Sequence, residues 1–227
     1  MLHTAWIARH GHRHDYVDAD WFNKAERPYD PPLSEDGLFQ AQELGERLQS
    51  EQIVHLFSSP FLRAVQTAHH AAEALDLPIK LEAGLSEWHN SEWMSDMPER
   101  LSTDELAEHY PRIDLTYTSR SNETFMERTG ETARQLVGEF SQNILMVGDG
   151  AVVLGITTGL LEGYPTVNAS LCSLVKLVRP AKKWQMQLCG DISHLSDNEN
   201  LKDNWQRKKI IGKEKGTQGK NSIPRVR

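Results

Sequence analysis

Three apolar runs, Ala5–Ala8, Ile53–Phe57 and Asn143–Val147, each stop at a short turn rich in charge, serine or glycine. The turns are Arg9-His10-Gly11, Ser58-Ser59-Pro60 and Gly148-Asp149-Gly150. The second and third lead directly into helices. The first leads into a polar stretch and then a helix starting near Ser34. Strands alternating with helices call for a parallel or mixed sheet covered on both faces. The expected architecture is therefore a three-layer α/β/α sandwich, with a mostly parallel sheet and a closing hairpin over 171–178 and 183–188. In such sheets ligands bind beyond the carboxyl ends of the strands.

The turns carry the chemistry. Arg9 offers a planar fork of donors that matches a phosphate. His10 offers a ring nitrogen able to attack phosphorus. Gly11 allows close backbone approach. Alone, the tripeptide also fits an ordinary strand end. Arg63 falls one turn into the helix after Pro60, and helix N-termini favour anions; the same spacing suits a surface arginine. Glu87, beside Trp88, fits a half-buried general acid of raised pKa, or a solvent-facing helix cap.

Around these, the pattern predicts a long ordered loop over 12–32, a helix from Ser34 to about Ser50, a short strand Ile79–Glu82 and a short helix near 103–110. A longer helix is expected over 123–140. Trp21, Tyr29, Trp88 and Trp93 suit either an apolar wall of a binding site or loop packing. No apolar run is long enough to span a membrane, and the N-terminal residues do not read as a signal peptide. Cys172 and Cys189 both fall in apparent strands and read as buried free thiols. These features predict a cytoplasmic location.

Residues 197–227 hold nine basic and four acidic side chains, a net +5, against −12 for the remainder. The acidic body argues against broad nucleic-acid binding. The expected organisation is one domain over 1–195 and a basic, solvated tail over 196–227.

With these residues in place the chain resembles the histidine phosphatase superfamily, whose fold is phosphoglycerate-mutase-like. Arg9-His10-Gly11 resembles its signature triplet. Pro32-Leu33-Ser34-Glu35-Asp36-Gly37 with Gln40-Ala41 is similar to its first helix start. Ser58-Ser59-Pro60-Phe61-Leu62-Arg63 with Gln66-Thr67-Ala68 is similar to its second. Leu85-Ser86-Glu87-Trp88 resembles the segment carrying the acid. The insertion after the triplet and the Tyr29–Ser34 run are most similar to the branch of suppressor-of-T-cell-receptor-signalling and ecdysteroid-phosphate phosphatases. The resemblance implies a phosphomonoesterase rather than a mutase. His10 would form a phosphohistidine, Arg9, Arg63 and Gly11 would hold the phosphate, and Glu87 would be general acid and base. Neither metal nor cofactor is implied. The partner is a phosphorylated small molecule or phosphoprotein; a homodimer is left open.

Asp149 departs from the pattern, standing where the family carries a second catalytic histidine. An ionised aspartate offers only acceptors. The expectation is weakened activity, with a catalytically silent phosphate-binding module as the alternative. His12, His14, His69 and His70 are the candidates to compensate.

Overall fold

A computed structural model describes residues 3–87, 99–119, 126–161, 163 and 165–196. The expected basic tail, Trp88 and Trp93 lie outside the described residues. The strands are β1 (His3–Arg9), β2 (His55–Ser58), β3 (Ile79–Leu81), β4 (Ile144–Gly148), β5 (Leu174–Arg179) and β6 (Gln185–Asp191). The helices are α1 (Trp21–Lys24), α2 (Glu35–Leu48), α3 (Leu62–Leu75), α4 (Thr103–His109), α5 (Met126–Glu139) and α6 (Gly150–Leu160).

Among the described residues the strands form one sheet in the order β3-β2-β4-β1-β5-β6. The first four are parallel, and β5 and β6 close the sheet antiparallel. Alternation along β1 serves two cores. Trp6 and Ala8 pack with Leu44 and Leu48 of α2 and with Ala64, Val65 and Ala68 of α3. Ala5 and Ile7 pack with Ala133 and Leu136 of α5 and with Val153 and Ile156 of α6. The three-layer α/β/α expectation holds.

The helices begin where the residues dictate. Ser34 caps α2, its hydroxyl accepting from the Gly37 N–H at 3.1 Å, with Glu35 and Asp36 in the first turn complementing the dipole. On the other face α5 and α6 meet backbone to backbone, because a Cβ on Gly159 would overlap the Gly130 backbone.

Two expectations need correction. The 12–32 segment is not a plain loop; it holds a 3-10 turn, His14–Tyr16, as well as α1. The indole of Trp21 donates to the Pro28 carbonyl at 2.9 Å, so it braces this segment from within. The cysteines also differ from expectation. Cys172 is buried, but lies in the turn before β5 with φ 51°, not in a strand. Cys189 does lie in β6, but that strand is the sheet edge, and the thiol is exposed.

Candidate active site

Sheet register brings the three turns together. Arg9 pairs with Gly148, and Ser58 pairs with Val147. The residues that follow, His10, Asp149 and the Ser59-Pro60-Phe61 lead into α3, therefore emerge side by side. His10 is held by its backbone, its N–H donating to Gly148 O at 2.9 Å and its carbonyl accepting from Cys172 N at 3.1 Å. The strained turn at Cys172 thus serves the site.

Six side chains converge. Arg63 is fully buried. Its Nε donates to Asp149 Oδ1 at 2.8 Å, its Nη2 to Glu87 Oε2 at 2.5 Å, and its Nη1 stands 3.6 Å from Asp30 Oδ1. The His10 ring faces two oxygens, with Nδ1 2.7 Å from the Gly11 carbonyl and Nε2 3.1 Å from Asp149 Oδ1. With its proton on Nε2 the ring donates to the Asp149 carboxylate; with the proton on Nδ1 it donates to the Gly11 carbonyl and turns a bare Nε2 toward that carboxylate. Arg9 lies over the start of α6, where a Cβ on Gly150 would come within 3.4 Å of its guanidinium. Its Nη1 donates to the Ala169 carbonyl at 2.7 Å.

The charges shape one another. Burial lowers the His10 pKa to about 4, the Asp149 hydrogen bond opposing and Arg9 and Arg63 adding to the fall. Burial alone would raise Asp149, but the Arg63 charge and the His10 hydrogen bond outweigh it and hold the carboxyl well below its ordinary range. Partial burial, its side chain keeping 38% exposure, and then the Asp149 charge push Glu87 up, against the pull of Arg63, Arg13 and Arg9. A raised carboxyl is what a general acid requires.

Gly11 acts through packing. A Cβ there would come 2.6 Å from Gly37 O, and its N–H donates to Thr67 Oγ1 at 3.1 Å. The candidate compensators have other partners. His12 bonds to Ser34, His14 pairs with Asp18, and His69 pairs with Glu73, with the His70 ring beside it.

Four residues that the sequence reading passed over also build the site. Asp30, 3% exposed, caps α3 by accepting from Leu62 N at 2.8 Å and faces Arg63. Glu82, expected in a strand, instead ties down the 3-10 turn Ala83–Leu85 that precedes Glu87. Its carboxylate accepts from Gly84 N, Tyr117 and Ser119. Arg128 of α5 donates to the Ser86 carbonyl at 2.7 Å. Arg13 is clamped by both oxygens of Asp15, and its charge reaches Glu87 and Arg63. Among the described residues no cluster of three or more His, Cys, Asp or Glu side chains could hold a metal ion.

The family model of the histidine phosphatase superfamily (branch 1) matches residues 5–192. The chain belongs to this superfamily. It is 31% identical to the Drosophila melanogaster ecdysteroid-phosphate phosphatase over 205 residues, covering 78% of this chain and 27% of that one. It is 30% identical over 153 residues to the 55 kDa subunit of transcription factor tau from Saccharomyces cerevisiae, covering 63% of this chain and 33% of that subunit. The chain thus spans about a quarter to a third of these two relatives. The Bombix mori ecdysone phosphate phosphatase, solved with tungstate, superposes with a TM-score of 0.72 at 20% identity, over 90% of this chain and 99% of that one. That likeness supports the fold. No helix among the described residues is long and apolar enough to cross a membrane.

Proposed function

We propose that this chain is a phosphomonoesterase domain whose hydrolysis of phosphorylated small molecules is held low by Asp149. His10 is the nucleophile through Nε2. Arg9 and Arg63 hold the phosphoryl oxygens, and Glu87 protonates the leaving oxygen and then activates water. Arg63 and Arg9 offset the charge that gathers on the equatorial oxygens in the transition state. A phosphatase name among the relatives favours hydrolysis over mutase chemistry.

The observation that carries this reading is the Asp149 carboxylate bridging Arg63 and His10. It takes up the donors a phosphoryl group needs and sets a negative charge in the nucleophile's path. Two unit charges about 4 Å apart repel by about 4 kcal/mol at an effective dielectric of about 20, which corresponds to roughly three powers of ten in rate.

The test is turnover of p-nitrophenyl phosphate by this chain and by Asp149→His. The expected result is weak activity rising about a thousandfold in the variant, and disappearing with an acid-labile phosphoenzyme when His10→Ala is added. Silence of the folded Asp149→His protein overturns the reading. It would favour the second one, a silent phosphate-binding module, which the occupied His10 nitrogen supports.

A further inference from the structure

Asp149 is engaged through only one of its two oxygens. Oδ1 spans Arg63 Nε and His10 Nε2. Oδ2 is buried and has no hydrogen-bond partner among the described residues, in a residue only 3% exposed. A buried acceptor without a donor is costly. The residue is also the N-cap of α6, yet its side chain does not cap that helix. The carboxylate is held in the cluster with Arg63 and His10 through one oxygen, with its second acceptor open.

An ionised carboxylate can only accept. It repels a fully ionised oxyanion, and it binds one that brings its own proton through a charge-assisted hydrogen bond. We infer that the pocket takes a phosphoryl group in its protonated form, whose P–OH donates to the open oxygen of Asp149 while its bare oxygens face Arg9 and Arg63. The inference rests on the phosphomonoesterase reading of the pocket and specifies the ionic class of its ligand: monoester monoanions and hydrogen phosphates, not sulfate or monoester dianions. Glu87, whose side chain is 38% exposed, is the carboxylate placed to leave Arg63 when a ligand enters.

The charged groups facing Asp149 are His10 from the turn after β1, Arg63 from α3, Asp30 from the loop and Glu87 from the acid-bearing turn, with Arg9 of β1 acting on His10 and Glu87. Protonation of His10 or Glu87 on acidification would strengthen binding of every anion. Sulfate, which carries no proton in this range, is therefore the internal control.

Calorimetric titration of the full chain with inorganic phosphate, sulfate and phenyl phosphate at about pH 5 and about pH 8 brackets the second ionisation of a phosphate monoester near 6. Phosphate is expected to bind about tenfold or more tighter than sulfate at both pH values. Phenyl phosphate is expected to weaken about tenfold or more, relative to sulfate, as pH rises. In Asp149→Asn, which can donate, sulfate should gain and the phosphate preference should close. Sulfate binding wild type as tightly as phosphate overturns the inference. So does exclusion of all three anions by wild type with binding of all three by Asp149→Asn. Turnover by Asp149→His, measured separately, decides the phosphomonoesterase reading, so the two fail on different readouts.

Discussion

The two helices that begin at the site are capped in opposite ways. α3 starts after Phe61, which has no side chain able to cap, and a distant residue, Asp30, supplies the missing acceptor to Leu62 N. α6 starts after Asp149, a residue type well suited to cap, and its carboxylate turns away from the helix. Forgoing an N-cap costs about 1 kcal/mol, so the contacts with Arg63 and His10 outweigh it. The difference shows where the electrostatic weight of the site lies. Arg63 recruits a carboxylate from each neighbouring element, and Asp149 yields its local role to that demand.

Removing the cation breaks the comparison most severely. Arg63→Ala leaves Asp149, Glu87 and Asp30 facing one another, and a loss of about 3–5 kcal/mol is expected in denaturant unfolding. A loss below about 1 kcal/mol would mean that the carboxylates are solvated and the pocket is not a buried charge cluster.

His10 comes next. Burial keeps the native ring neutral down to about pH 4, while the unfolded chain binds a proton below about 6.5. Between those values the unfolded state holds more protons, so stability rises with pH. His10's contribution is complete above about 6.5 and lost as pH falls to about 4, a span worth about 3 kcal/mol. Glu87, pushed upward, works in the opposite direction, so the comparison is between wild type and His10→Gln. The variant's stability should rise less, or fall more, with pH across this window than wild type's, read from urea midpoints; an unchanged slope would show that the native ring is already charged.

The caps give the smaller effects. Asp30→Ala should cost about 1–2 kcal/mol through the lost α3 cap, visible as faster amide exchange at Leu62. Asp149→Ser should be net destabilising by about 1–2 kcal/mol, because the serine cap returns about 1 kcal/mol, less than the lost contacts with Arg63 and His10, while Glu87 and Asp30 keep Arg63 paired. Protection of the first α6 amides, rising in the serine variant alone, would sharpen the contrast between the two helices.

Much of this was readable from the residues. Arg9, His10 and Arg63 sit at fixed offsets from strand ends, and sheet register converts those offsets into proximity. Glu87 was readable as a carboxylate in a turn, but Glu82 resembled one more strand residue, and its anchoring hydroxyls lie more than thirty positions away. Asp30 sits in a proline-flanked segment, where nothing local distinguishes a buried cap from a solvated turn residue. The departure at Asp149 was plain in the sequence. The direction its side chain takes was not, because that depends on a competition between its own helix and a guanidinium from another.

The backbone contact between Gly130 of α5 and Gly159 of α6 reaches further than packing. α5 carries Arg128, which grips the carbonyl before Glu87, and α6 carries Asp149 at its start. The gap between the acid and residue 149 is gauged by two helices pressed together with nothing between them. A methyl group at either glycine is a shim in that gauge, felt at the far end as a displaced Glu87 carboxylate.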